Sequence, residues 1–464
     1  MKRALLVFGI ALGARLVPYG FAVAHPERVF LDNFDTKQYY ALASNMIARS
    51  SFSTYPALSF LRPARGPWEP DGFRVPVYPL ALVPARALLG DRPILVLLWQ
   101  VLLVSLVPVI LYFLGLKIWG QRAGFAAGLI MALDPASVTL CGYFFADAFF
   151  GLMISMSLLG FWYYLNQRKT VFGAIFGLLG GLTTLTKPMV ALMFPVLFLM
   201  KPKMWKKMAV AFATYGVLVG GWIIRNQLTF GVPTISGVSS YNLYFHNYAA
   251  MVAHKKGIHY LAESDSSVER FMSQHPNPDN PIATVDSLGK WAAREISKDP
   301  FTYLIAHFKE MHRLFIPEIT YGAIYYGKVE SPRVFSRIQT GEMNFPELSG
   351  KLMSLIPQYW KAMIYQGIFG LYMLILIILS FSATRRNWRK SKWFTLGLVL
   401  FSIYTIIIPG PTITIRFMTG LTPLLAALAG GAFVKDGENF GKGQNLFLWL
   451  FLSYLPLWHI ALGR

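Results

Sequence analysis

Four stretches of this chain leave little choice of fold: Ile94 to Leu116, Ala362 to Thr384, Trp393 to Ile415 and Gly443 to Gly463 contain no Asp, Glu, Lys or Arg. Each is long enough to cross the roughly 30 Å hydrocarbon core of a bilayer, which takes about 20 apolar helical residues. Shorter or weaker apolar segments at Ala4 to Ala24, Gly124 to Cys141, Ala148 to Leu165, Val171 to Leu185, Val190 to Met200 and Met208 to Ile224 bring the expected total to about ten or eleven helices. The composition agrees, with 55% of residues hydrophobic and 14% charged. A single cysteine, Cys141, excludes an intramolecular disulfide framework and a cysteine-based zinc site.

The net charge of +21 could point to nucleic acid. The basic residues, however, sit in short loops between apolar segments rather than on one polar domain with interleaved aromatics, so no nucleic-acid partner is expected. Assigning alternate loops to alternate sides places Lys2, Arg3, Lys117, Arg122, Arg168, Lys169, Lys201, Lys203, Lys206, Lys207, Arg385, Arg386, Arg389, Lys390 and Lys392 on one side, without one acid among them. By the positive-inside rule that side is cytoplasmic, and the N-terminus with it. Two long loops fall on the other side, residues 25–92 and 226–360, and together they hold 18 of the 22 acids. The N-terminal apolar run shows no small-residue cleavage site and reads as an uncleaved first span.

Within the first outer loop, Thr36 to Ser50 has helical character, and Val75 to Leu89 is an amphipathic stretch broken by prolines that suits the membrane interface. The second outer segment carries an irregular turn cluster at residues 275–281 and a helical pattern from Val285 to Phe315. No repeat of 20 to 50 residues is present.

Asp32 and Asp35 lie just beyond the first span, in DNFDTKQYYALA. Two carboxylates there suit deprotonation of an acceptor hydroxyl or binding of a cation, while an N-cap for the following helix explains Asp35 equally well. Asp147, in GYFFADAFF, stands at the outer end of an apolar helix, where an ionisable group is costly and is a candidate for function; the alternative is again a cap. Asp134, before Pro135, reads as a turn residue. Arg74, Lys187, Arg225 and Arg416 are isolated cations at the outer ends of spans, where the charge bias predicts none. Any one of them could snorkel to headgroups, but four converging with the carboxylates would bind a phosphate or pyrophosphate leaving group. His246, His254, His259, His275, His307 and His312 are scattered through the second outer segment without a metal-ligand spacing. No Walker loop, dinucleotide fingerprint or Ser/His/Asp signature occurs.

Taken in order, these residues resemble the GT-C superfamily of polytopic glycosyltransferases, and within it the bacterial transferases of the dolichyl-phosphate-mannose, ArnT and RgtB type. The resemblance lies in Asp35, Tyr39 and Ala43 after the first helix, and in Pro76, Tyr78 and Pro79 with Arg74 before them. It continues in Asp147, where the family more often has Glu, and in the 181–188 segment ending in Lys187 and Pro188, followed by Trp222, Arg225 and Asn226. It covers about the first half of the chain, with Arg416 and Pro423 resembling a late Arg-Pro element.

The resemblance implies an all-α GT-C fold, with interfacial helices in the first outer loop and a mainly helical outer segment. It also implies a module over 1–231 that includes loop 25–92, an outer segment over 232–360 and C-terminal membrane helices over 361–464. The activity implied is that of an inverting glycosyltransferase, with a polyprenyl-phosphate-linked sugar as donor and a lipid, glycan or protein acceptor. Asp35, or its competitor Asp32, would be the general base, and Asp147 would position the acceptor or a divalent cation. Arg74, Lys187, Arg225, Arg416, Tyr39 and Tyr78 would bind substrate. The expected setting is the plasma (inner) membrane of a prokaryote, crossed many times and in contact with its lipids, with the active site on the outer face. A flippase or transporter for a lipid-linked glycan, and an oligosaccharide polymerase or ligase, are the alternatives; the transporter should show inverted repeats and broken helices at mid-membrane.

Overall fold

Helices dominate the residues described by the computed structural model, which are 1–30, 34–54, 68–258, 260–274, 280–311, 345–412 and 414–434. The first span is α1 (Lys2–Ala24), and the loop after it holds α2 (Phe34–Ala48), a two-residue antiparallel pair β1 (Ser53–Thr54) and β2 (Glu69–Pro70), and α3 (Val77–Leu89). The bundle continues with α4 (Pro93–Val104), α5 (Val107–Trp119), α6 (Gln121–Ala132), α7 (Pro135–Leu140), α8 (Ala146–Asn166), α9 (Val171–Thr184), α10 (Met193–Phe198) and α11 (Trp205–Phe230). An outer layer follows, made of α12 (Gly237–Asn242), a π-helix (Leu243–Tyr248), α13 (Ala249–Lys256), α14 (Tyr260–Gln274), α15 (Pro281–Lys298) and α16 (Pro300–Glu310). The last elements are α17 (Phe345–Lys390), α18 (Lys392–Ile407) and α19 (Ile415–Gly430).

Among the described residues, six stretches are long and apolar enough to cross a membrane: Lys2–Ala24, Pro93–Trp119, Ala146–Asn166, Trp205–Phe230, Gly367–Lys390 and Ile415–Phe433. Val171–Thr184, Pro188–Phe198 and Lys392–Ile407 are apolar but shorter. The expected span at Gly443 to Gly463 lies outside the described residues. Where one span was expected from Gly124 to Cys141, the structure has two short helices, because Asp134 caps α7 by accepting from the Ser137 N–H and Pro135 opens it. The expected helix from Val285 to Phe315 is likewise cut at Asp299 and Pro300, into α15 and α16.

The break at Asp134 explains a charge inside the first span. Arg15 is fully buried, and its guanidinium donates to the Ala132 carbonyl at 3.0 Å and to Ser137 Oγ at 2.9 Å. It bonds backbone groups that the end of α6 leaves open, and so ties α1 to that break.

Turns rich in Lys and Arg gather at one end of the bundle. Lys207 and Lys201 donate to the carbonyls of Gln167 and Leu165, each at 2.6 Å, and Lys117 lies 4.8 Å from the Tyr163 ring centroid. Arg386 donates to the carbonyls of Gly431 and Ala432. With lipid outside, helix association depends on close van der Waals contact, which small residues allow. Gly173 and Gly177, one turn apart on α9, sit against the backbone of α11: a Cβ on either would lie 2.3 Å from the carbonyl oxygen of Lys207 or Ala211 respectively.

The outer layer has its own apolar core of Phe73, Phe245, Phe271, Ile282 and Val285, and so includes a residue of the first loop. Gly237 N–H donates to the Gly72 carbonyl at 2.9 Å and Ser236 Oγ donates to the Phe73 carbonyl. At its other edge, His307 Nε2 lies 2.7 Å from the Ile407 carbonyl oxygen, and its ring covers Gly410, whose φ of 48° favours glycine.

Gly177→Leu should force α9 and α11 apart and lower the melting temperature in detergent, at a cost of about 1–3 kcal/mol. Gly216→Ala on α11, where a Cβ would meet nothing within 4 Å, should leave it unchanged.

Candidate functional site

Helix α2 begins at Phe34, so Asp35 lies inside its first turn, where a carboxylate is favoured by the helix dipole. Asp147 occupies the same place in α8, whose N-cap is Phe145. Neither acid is itself the cap that the simpler reading of the sequence offered. Both turn toward cations instead.

Arg416, from the first turn of α19, joins the two acids. Its Nη1 donates to Asp35 Oδ2 at 2.6 Å, and its Nε donates to Asp147 Oδ2 at 2.9 Å. Arg74 Nη2 donates to the other oxygen of Asp35, and Lys187 Nζ to the other oxygen of Asp147 at 2.6 Å. The result is an alternating row, Arg74, Asp35, Arg416, Asp147, Lys187, with three positive and two negative charges. Asp147 is closed off at 1% exposure, whereas Asp35, Arg416 and Lys187 keep 19%, 21% and 17% of their side-chain surface open.

Aromatic rings wall this row. The Arg416 guanidinium lies 4.3 Å from the Phe145 ring centroid, and Lys187 Nζ lies 4.0 Å from that of Phe417. Tyr39 lies below Arg74 and meets Tyr78 edge to face at 4.9 Å. Rings replace water around the charges, which strengthens their mutual attraction. Burial pushes the Asp35 carboxyl upward, but the charges of Arg74 and Arg416 and their hydrogen bonds outweigh it and hold it well below the usual carboxylate range. Burial pushes the Tyr39 phenol up to about 12, so it stays protonated.

Arg74 is aimed by its own turn. Asp71 Oδ1 accepts the backbone N–H groups of Phe73 and Arg74, and Arg74 Nε donates to Gln38 Oε1 at 2.8 Å. Gln38 follows Asp35 by three residues, on the same face of α2. Burial raises the Asp71 carboxyl above its usual value, although the Arg74 N–H and charge pull the other way. Val77 N–H donates to the Leu185 carbonyl at 3.0 Å, which ties the start of α3 to the turn that carries Lys187.

Of the residues singled out in the sequence, Asp35, Asp147, Arg74, Lys187 and Arg416 meet in one row, with Tyr39 beneath it. Arg225 does not join them: its Nη1 donates to the Asp71 carbonyl at 2.6 Å and its guanidinium lies over Trp222, so it supports the turn that holds Arg74. Tyr78 is buried, with its hydroxyl donating to Gln100 Oε1. Asp32, His259, His275 and His312 lie outside the described residues. Among the described residues no three His, Cys, Asp or Glu side chains converge as metal ligands, and all four oxygens of Asp35 and Asp147 face cations. The sequence signals nothing of Gln38, Asp71 or Gln100, because their partners are backbone amides, a carbonyl or side chains far along the chain.

Residues 90–248 match the model of the dolichyl-phosphate-mannose-protein mannosyltransferase family. Among curated proteins none matches the chain. In structure the chain is similar to the archaeal oligosaccharyltransferase AglB from Archaeoglobus fulgidus in complex with an inhibitory peptide and a dolichol-phosphate. The TM-score is 0.50 at 12% identity, over 98% of this chain and 55% of that one. The same enzyme tethered to an acceptor peptide gives 0.50 at 13% identity, over 98% and 55%. ArnT from Cupriavidus metallidurans bound to undecaprenyl phosphate gives 0.40 at 13% identity, over 93% and 77%. The chain thus spans about half the length of the oligosaccharyltransferase it matches. The resemblance drawn from its motifs is borne out: the chain has the GT-C fold of membrane glycosyltransferases, and its residues 90–248 are similar to the dolichyl-phosphate-mannose-protein mannosyltransferases.

Proposed function

We propose that this chain is an inverting glycosyltransferase that moves a sugar from a polyprenyl-phosphate-linked donor to an acceptor hydroxyl at the outer face of the plasma membrane. The observation that carries the reading is the row of five charges, in which two carboxylates are outnumbered by three cations and the open groups are Asp35, Arg416 and Lys187. A net positive cluster walled by aromatic rings suits the phosphate of a lipid-linked donor. Both the family match over 90–248 and the dolichol-phosphate in the AglB complex favour such a donor.

In this reading the acceptor oxygen attacks the anomeric carbon as its proton passes to Asp35, and the bond from that carbon to the phosphate oxygen breaks with inversion. The departing polyprenyl phosphate takes up the electron pair, and Lys187 and Arg416 neutralise it. Asp35, with each oxygen bonded to an arginine, is a weak base. A donor phosphate that draws Arg416 to itself frees Asp35 Oδ2 and raises its basicity. Donor binding thereby switches on the base, and Asp147 holds Lys187 and Arg416 in register while this happens.

Asp35→Asn should lower the rate of polyprenyl-phosphate release by ~10²–10⁴-fold, the usual contribution of a general base. Donor binding, followed by titration with a non-transferable analogue, should change only a fewfold; full turnover in this variant would remove Asp35 from the proton transfer. Lys187→Met should cost ~10²–10³-fold in kcat, as for loss of one donor to a developing oxyanion. Arg74→Ala should weaken donor affinity, and an unchanged dissociation constant would count against its phosphate role. Because the folded-state value of Asp35 is depressed, its ion pairs stabilise the protein above the ordinary carboxylate range, and that stability is lost as pH falls through the range and below it. Melting curves of wild type and Asp35→Asn should therefore differ at neutral pH and converge on acidification.

A further inference from the structure

A second cation cluster lies at the far end of α19 from Arg416. A cavity of about 560 Å³ is lined there by Arg385, Arg386, Arg389 and Lys390 from the last turns of α17, together with Trp119, Ser382 and Val434. Ile415–Phe433 spans 19 residues, which at 1.5 Å per residue is about 28 Å, so the two clusters are separated by roughly the thickness of a hydrocarbon core.

The cavity is made of donors. Arg386 is partly committed to the carbonyls of Gly431 and Ala432 and fixes the end of α19 against α17. Arg385, Arg389 and Lys390 are exposed, and no acidic side chain lines the cavity among the described residues. Trp119, at 6% exposure, carries an indole N–H that is buried without a hydrogen-bond partner. A buried donor left unbonded is destabilising, and an anion's oxygen would supply its bond. A bias of positive charge toward one side of a membrane accounts for the side on which these cations lie. It accounts neither for their grouping around a cavity nor for an indole N–H held there without an acceptor.

From this cavity we infer a binding site for a phosphate group, on the side of the membrane opposite the five-charge row. The end of a span and the indole beside it lie at headgroup depth, so the phosphate fitted best is that of an anionic phospholipid in the adjacent leaflet. Arg385, Arg389 and Lys390 would contact the phosphate oxygens, Trp119 Nε1 would donate to one of them, and the acyl chains would run beside the bundle.

The test is native mass spectrometry of the full chain released from nanodiscs of phosphatidylcholine containing phosphatidylglycerol. Wild type should retain phosphatidylglycerol in preference to phosphatidylcholine. Arg385→Gln with Arg389→Gln should reduce that retention by roughly tenfold or more, because a hydrogen bond to a charged group contributes about 1.5–3 kcal/mol and 1.4 kcal/mol is a factor of ten. Trp119→Phe keeps the ring and removes the donor, and should give a smaller loss. Unchanged size-exclusion profiles and melting temperatures would show that these variants fold. Millimolar inorganic phosphate, or glycerol 3-phosphate, added before release separates the two sources of the same chemistry: failure to displace the lipid supports the headgroup, and full displacement assigns the site to a soluble phosphate ester. Equal retention by wild type and the double variant, or no preference over phosphatidylcholine, would overturn the site.

Discussion

One guanidinium holds this site together. Arg416 bonds Asp35 and Asp147 at once, and it thereby joins the first turn of α2, the first turn of α8 and the first turn of α19. Two carboxylates brought this close would repel, and burial would push each toward its neutral form. An arginine between them, with a further cation on each flank, sets a donor against every carboxylate oxygen in a place walled by aromatic rings. A lysine could not replace it on geometric grounds, since only the planar fork presents separate N–H groups to two carboxylates in fixed directions.

The elements are legible in the sequence where the environment of each residue is set locally. Apolar windows locate α8 to within two residues and place the membrane parts of α11, α17 and α18, because in lipid a helix bonds its backbone internally. They miss the ends of the last three, where α11 and α17 run on through charged residues and α18 stops at Ile407. Asp134-Pro135 and Asp299-Pro300 carry the capping signals that cut longer patterns, and reading hydropathy without them joins helices that the structure separates. Arg15 shows the opposite failure: one charge in an otherwise apolar run changes the hydropathy little, yet it ties α1 to the break between α6 and α7.

The site is legible only as a set of unusual residues. Arg74, Lys187, Arg225 and Arg416 look alike in the sequence, each being a cation at the end of a span. Three of them bond carboxylates and the fourth bonds a carbonyl, and that difference depends on the side-chain direction at contacts between residues 154 to 381 positions apart for Arg225 and Arg416. Spacing along one chain carries no such information. The matched family segment begins at residue 90 and ends at 248, so it contains Asp147 and Lys187 but not Asp35, Arg74 or Arg416.

The outer layer grips both loops that feed arginines to Asp35. On one edge it takes hold of Gly72 and Phe73, immediately before Arg74; on the other, His307 holds Ile407 and covers Gly410, in the turn that leads to Arg416. It therefore acts as a yoke rather than a cover. The two arginines that bond Asp35 thus share one support, since the backbone just before Arg74 and the turn before Arg416 both rest on it.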